Sequence, residues 1–325
     1  MNHVESFCLD QNYSTTRLVF RENPIVREDH NGKPERSLFL PLTEGRKGEG
    51  GLRTQGYFKS DFPQKPLITI VTVVFNGEAH LEQAILSVIN QSYDNVEYII
   101  IDGGSSDSTV DVIMKYECVI DYWVSEPDGG IYDAMNKGVS LEIGSYVLFL
   151  GADDRLTNEQ VLSIMSGYAI VERPTILFGS VIYNYDINPL EKRGKNKIVT
   201  SRLDWMIFLH NTVHHQSCFY HKSLFSDWRY DSSLRLIADY ELNLLIFKRG
   251  FRACPMSLVV SSCCPYGASR SNFFLSKKET NIVRSRHISN FILSFIAFVL
   301  FEFKSVVSLM KIFLTQSMSK KGSTP

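Results

Sequence analysis

The alternation between residues 66 and 151 limits most what this chain can become. Leu67–Phe75 (LITIVTVVF) is a near-continuous β-branched run, the pattern of a strand buried on both faces. Glu78–Asn90 follows, with Leu81, Ala84, Ile85, Val88 and Ile89 at helical spacing. Val96–Ile101 is a second strand, ending in Asp102-Gly-Gly-Ser-Ser-Asp107, a turn and helix cap before a helix over Val110–Tyr116. Asp121–Ser125 is a short strand, Ile131–Ser140 a helix, and Tyr146–Leu150 a strand stopped by Gly151. This β-α-β-α-β-α-β order predicts an α/β domain: a Rossmann-like, mostly parallel sheet flanked by helices. Ligands of such sheets sit beyond the carboxyl ends of the strands. Three of these ends are polar: Asn76-Gly77, Asp102-Gly103 and Asp153-Asp154. They mark the expected site.

The rest of the chain is less regular. Residues 1–65 read as a polar N-terminal extension with little core of its own, and Gly48–Gly56 as a loop. That glycine-rich stretch lacks the spacing of a phosphate loop. Strands are expected at Ile176–Tyr183, Ser217–Tyr220 and Arg252–Cys263, and a helix at Ala238–Arg249. The main domain is set at 66–265 and a C-terminal tail at 266–325.

Net charge enters because it is misleading. The 325 residues carry a formal charge of -1, which alone excludes a polybasic surface. Yet the segment from Arg270 onward is +7 and the remainder -8. Within the tail, Phe291–Phe301 is apolar but only half the length of a membrane span. Lys304, Ser308, Lys311 and Thr315 then share one helical face, opposite Val306, Val307, Met310, Phe313 and Leu314. A basic, amphipathic and apolar helical tail of this kind is expected to lie on an anionic membrane surface; packing on the domain or on a partner chain is the alternative. Six cysteines without a CxxC pair suit reduced thiols in a cytosolic protein rather than a zinc site.

Five stretches carry a resemblance: Leu67–Asn76, Asp102–Thr109, Ser125–Gly138 (SEPDGGIYDAMNKG), Leu150–Asp154 (LGADD) and Ala238–Leu242 (ADYEL). In this order and spacing they resemble family 2 glycosyltransferases, nearest to bacterial enzymes that build O-antigen, capsule and exopolysaccharide units. The likeness spans about residues 66–265. It implies a GT-A fold, a nucleotide-sugar donor, a divalent metal (Mg²⁺ or Mn²⁺) and inversion at the anomeric carbon.

Chemistry and resemblance together assign the candidate residues. A sugar diphosphate gathers negative charge as it leaves, and a divalent ion held by carboxylates stabilises it. Asp153 is the expected ligand, with Asp154 beside it. The family's Asp-x-Asp has Gly151 in place of its first acid. Asp102 is expected to accept from the base or ribose, with Thr72, Asn76 and Asp128 lining the same pocket and Asp107 capping the next helix. Asn136 and Lys137 are expected to reach donor sugar or phosphate; an i,i+4 surface pair of Asp133 with Lys137 is the plain alternative. Asp239 is the expected general base for the acceptor hydroxyl, with Glu241 in reserve. The resemblance puts His215 and Gln216 on the acceptor side; metal contact and packing are the other readings of the His214-His215 pair.

The expected activity is transfer of one sugar to a saccharide acceptor on a lipid carrier, in surface polysaccharide biosynthesis, at the inner face of the cytoplasmic membrane and with no nucleic-acid partner. The processive signature Gln-x-x-Arg-Trp is missing. A sugar nucleotidyltransferase would need a basic, glycine-rich loop where Asn76-Gly77-Glu78 stands. A non-catalytic sugar-binding protein would be indifferent to loss of Asp153 or Asp239.

Overall fold

The structure, a computed structural model, describes residues 6–24, 36–184, 196–265 and 272–288. The apolar run and amphipathic face read in the tail beyond residue 288 lie outside them.

The alternating segment folds as its pattern requires. Its strands are β2 (Ile68–Val74), β3 (Val96–Asp102), β4 (Tyr122–Ser125) and β5 (Tyr146–Gly151), joined by α1 (Leu81–Ile89), α2 (Thr109–Lys115) and α3 (Ile131–Leu141). β3 and β5 flank β2 and β4 lies outside β3, all parallel. Side chains of β2, β3 and β5 are buried on both faces, which is why they read as unbroken apolar runs. Helix α3 lies so close to β2 that a Cβ at Gly138 would stand 2.4 Å from a methyl of Val71.

Beyond β5 the pairing changes. The remaining strands are β6 (Arg155–Leu156), β7 (Ile176–Tyr183), β8 (Lys197–Thr200), β9 (Cys218–His221) and β10 (Ala253–Cys263), with α4 (Val161–Glu172), α5 (Ala238–Lys248) and α6 (Phe273–His287). β9 enters antiparallel between β5 and β7. β10 runs parallel to β7, while β8 and β6 are antiparallel additions. The sheet is therefore mixed rather than mostly parallel. The parallel rule held where helical crossovers connect neighbours; β9 is reached through an irregular connection and is free to run the other way.

The glycine-rich stretch expected to be a loop instead forms β1 (Gly48–Gly50) on the far edge, antiparallel to β4, followed by a 3₁₀ turn over Leu52–Gln55. Gly51 takes φ 102°, and a Cβ there would meet the Ile120 carbonyl at 2.7 Å. Leu52 is buried, and the guanidinium of Arg53 pairs with buried Glu97 at 2.5 Å. Val19, Phe20 and Phe58 are also buried. Two apolar clusters cover the sheet. One lies under α3 and α5, the other under α1 and α4.

Candidate active site

The polar ends of β2, β3 and β5 open on one edge, and a cleft of about 530 Å³ lies there. Asn76, Asp153, Asp154, His215 and Gln216 line it, as does Tyr132 of α3. Phe75, left 66% exposed, lines both this cleft and an adjoining apolar slot of about 350 Å³. Asp128 and Gly103 close the slot, and a Cβ at Gly103 would come within 2.7 Å of the Asp128 carboxylate. Burial pushes the Asp128 carboxyl up, against the pull of Lys137 and the Gly130 N–H.

Asp153 and Asp154 fold back over the end of β5. A Cβ at Gly151 would lie 2.8 Å from Asp154 Oδ2 and 3.0 Å from Asp153 Oδ1, so a larger residue at this position would require these carboxylates to turn aside. Asp154 is 5% exposed and accepts from the Cys264 N–H at 3.3 Å. Burial, then the charge of Asp153, pushes its carboxyl up to about 6, with His215 opposing. Two adjacent carboxylates short of positive partners are a fitting donor set for a hard divalent cation. Among the described residues no group of three or more His, Cys, Asp or Glu is arranged to hold a metal. A two-carboxylate site suits an ion that completes its shell with phosphate and water.

Asp239 stands in the first turn of α5, turned inward. The N-cap is Ile237, so Asp239 is not spent on capping. The residue is 7% exposed, and its carboxylate collects three donors. The Tyr132 hydroxyl donates to Oδ1 at 2.9 Å and the Asn211 amide to Oδ2 at 2.9 Å; His215 Nδ1 lies 3.2 Å from Oδ2. Burial alone would raise this carboxyl, but the His215 bond and charge together with Tyr132 outweigh it and hold it below the usual range. His215 shows the reverse balance: burial lowers it, and Asp239, then Asp154 and Asp153, carry it above its ordinary value. Asp239 lines a further pocket of about 370 Å³ that shares His215, Gln216 and Leu236 with the main cleft. The carboxylate pair and the Asp239–His215 pair thus line neighbouring pockets.

Other expected residues are already engaged. Thr72 is fully buried, its hydroxyl 3.1 Å from that of Tyr98, away from the cleft. Asp102 is buried and braces its own loop, accepting from the Ser105 N–H and the Ser125 hydroxyl. The Asn136 amide donates to the Tyr230 carbonyl at 2.8 Å and accepts from the Tyr230 N–H at 2.9 Å. Lys137 pairs with Glu126 at 2.8 Å, and Asp133 accepts from the Gly129 N–H, so the i,i+4 pair does not form. Glu241 binds His287 at 2.7 Å. Asn76, at φ 51°, ties its loop to the next by accepting from the Ser106 N–H. Asp107 accepts from the Thr109 N–H at 3.1 Å, at the start of α2. Sequence reasoning passed over Phe75, Tyr132 and Asn211. An aromatic directly after a buried strand was a usable signal for Phe75; nothing local marked Asn211.

The sequence model of glycosyl transferase family 2 matches residues 69–228. PGL/p-HBAD biosynthesis glycosyltransferases of Mycobacterium bovis and Mycobacterium tuberculosis are 29% identical over 221 residues, 66% of this chain and 82% of theirs. An uncharacterized glycosyltransferase of Haemophilus influenzae is 36% identical over 99 residues, 30% of this chain and 40% of its own. Among solved structures, S. aureus TarS 1-349 superposes with a TM-score of 0.53 at 15% identity, covering 72% of this chain and 70% of that one. The same protein in complex with UDP-GlcNAc gives 0.53 at 14% identity, covering 72% and 71%. At such identities the likeness concerns the fold. Among the described residues, no helix is long and apolar enough to cross a membrane.

Proposed function

Because this chain belongs to glycosyl transferase family 2, and so moves sugar from a nucleotide-sugar donor, we propose that it does so by single-sugar, inverting transfer with Asp239 as the general base. The observation that carries this reading is that the Asp153–Asp154 pair and the Asp239–His215 pair line neighbouring pockets with His215, Gln216 and Leu236 in common. A leaving diphosphate and an attacking hydroxyl need two such centres, on opposite sides of one sugar carbon.

Phe75 offers an aromatic face for the donor's base, with the Asp128 carboxylate at the back of the slot. Asp153 and Asp154 would hold a Mg²⁺ or Mn²⁺ ion that stabilises charge on the departing diphosphate. Asp239 takes the acceptor proton on a carboxylate oxygen. Tyr132 and Asn211 fix the direction of that oxygen, and His215 supplies the compensating positive charge. Thr72, Asn136 and Lys137 have no part in this scheme, and Asp102 acts by shaping the loop beside the slot. The acceptor is read as a saccharide on a lipid carrier in surface-polysaccharide assembly, at the inner membrane face. The +7 charge from Arg270 onward supports that setting.

The test is a panel of nucleotide sugars, UDP-GlcNAc first since a protein of this fold binds it, with Mg²⁺ or Mn²⁺ and saccharide acceptors. Nucleotide release is measured, and the anomeric configuration of the product by NMR. Transfer with inversion, lost by about 10²–10⁴-fold in Asp239→Asn, is expected. A retained anomeric configuration, or an Asp239→Asn variant as fast as the parent, overturns the reading.

A further inference from the structure

Two loops close the apolar slot beside Phe75. Gly103 belongs to the loop after β3 and Asp128 to the loop after β4, and both line the slot. Each loop carries a Gly-Gly pair, with Gly104 at φ 83° and Gly130 at φ 114°. Backbone of this kind is costly to order, so the loops need support from elsewhere.

That support comes from residues 43–49, which precede the stretch matched by the family model. Two consecutive cations there take one loop each. Lys47 Nζ donates to the carbonyls of Gly104 and Ser105 at 3.0 and 2.7 Å. Arg46 donates through Nε and Nη2 to Glu126 Oε2 at 2.9 and 2.7 Å. Glu126 stands two residues before Asp128 and is buried. The Thr43 hydroxyl reaches the same oxygen at 2.6 Å, and Lys137 reaches the other at 2.8 Å. Burial alone would raise the Glu126 carboxyl, but Lys137, Thr43 and Arg46 outweigh it and hold it below the usual range. The Lys47 N–H donates to the Ser125 carbonyl at 2.7 Å, where β1 joins β4, so backbone pairing places both side chains. The hold on Ser105 extends further. Its hydroxyl accepts from the N–H of Asn76, the residue after Phe75, at 2.7 Å.

We infer that Arg46 and Lys47 are positioning residues for the donor: by holding one loop each, they keep the slot at the spacing a nucleobase needs before the donor arrives. The inference rests on the reading above that the base lies in this slot, against Phe75. Preorganisation of this kind acts on affinity for the nucleoside part. Asp153 and Asp154 follow β5, and none of these bonds involves them.

The test is calorimetry on the full chain with Mn²⁺. The probes are UDP, GDP and ADP, and inorganic pyrophosphate, which brings a diphosphate without a base. The parent is expected to bind one nucleoside diphosphate at least about tenfold more tightly than pyrophosphate, through stacking of the base. Lys47→Met weakens that nucleoside diphosphate about threefold or more, and leaves pyrophosphate within about twofold of the parent. Arg46→Met, which removes a charged donor from a buried carboxylate, weakens it about tenfold or more and likewise spares pyrophosphate. Lys47→Arg keeps the charged donors and the parent's affinity. Retained pyrophosphate binding shows that the variants fold. Equal loss of nucleoside diphosphate and pyrophosphate in either Met variant, or loss of neither, overturns the inference alone. So does a Lys47→Arg variant as weak as Lys47→Met. A parent that binds no nucleoside diphosphate more tightly than pyrophosphate overturns the placement of the base beneath it.

Discussion

Replacing Tyr132 by phenylalanine removes one donor from Asp239 and leaves the ring in place. Tyr132 is 4% exposed and stacks on Tyr230 at 5.5 Å between centroids, so packing is kept. Its hydroxyl lies 2.9 Å from Asp239 Oδ1. A hydrogen bond to a charged partner contributes about 1.5–3 kcal/mol. At about 1.4 kcal/mol for each tenfold change in acidity, its loss moves the carboxyl by about one to two pH units. The direction follows from the present balance. Burial pushes Asp239 up and its donors hold it down, so losing a donor moves it up. Only the ionised form can take the acceptor proton. The acid limb of kcat/KM should therefore climb by about one pH unit or more in Tyr132→Phe. Asn211→Leu, which strips the donor 2.9 Å from Oδ2, should move it the same way. The assay is nucleotide release at saturating donor from below the ordinary carboxylate range, about pH 3, to about pH 8. Asp153 and Asp154, proposed to hold the cation, are not substituted in either variant, and the metal dependence of turnover serves as an internal reference. If both variants keep the parent's acid limb, Asp239 is not the titrating base.

Four further outcomes are expected. Phe75→Ala should raise the donor KM about tenfold or more, since base–aromatic stacking is worth about 1–3 kcal/mol, while an unchanged KM would remove Phe75 from the donor site. Asp153→Asn should weaken Mn²⁺ binding in calorimetry and raise the metal concentration needed for turnover; an unaltered titration would place the ion elsewhere. His215→Gln tests linkage. Because Asp239 carries His215 above its unfolded value, the stability this adds is full below about pH 6.5 and lost as pH rises through the folded value. The gap in urea stability between parent and variant should thus be wider at about pH 6 than at about pH 9, and a gap that grows with pH refutes the pairing. Arg53→Met strands Glu97, whose side chain is fully buried, and should cost about 3–5 kcal/mol; a much smaller loss in the Arg53→Met, Glu97→Met double variant would identify the unpaired charge as the cause.

The residues that could be read correctly in isolation were those whose role depends on a short stretch of chain. Ile68–Val74, Val96–Asp102 and Tyr146–Gly151 are buried on both faces, and such burial requires apolar runs that any reader of the sequence can see. Parallel crossovers then force the ends of these strands to one edge. For that reason Asn76, Asp153 and Asp154 were legible as lining before any coordinates. The same local logic misled at Gly48–Gly50, because an edge strand is fixed by the partner it pairs with, here β4, and glycines carry no side-chain pattern.

What only the tertiary structure decided is which polar groups remain available. Thr72, Asp102, Asn136 and Lys137 sit in stretches suggestive of a donor site, yet each is occupied by another part of the protein: Tyr98, Ser125, Tyr230 and Glu126. Asp239 went the other way. Sequence alone marked it as an acid opening a helix. Its environment comes from Tyr132, 107 positions earlier, and from Asn211 and His215, 28 and 24 positions earlier. Backbone propensity and burial pattern are encoded over a few residues, so the sequence determined the doubly buried parallel strands and the edge at which their polar ends meet. Hydrogen bonding and charge compensation act through space over about 3 Å. Which carboxylate is braced and which is desolvated was therefore settled only when distant segments met.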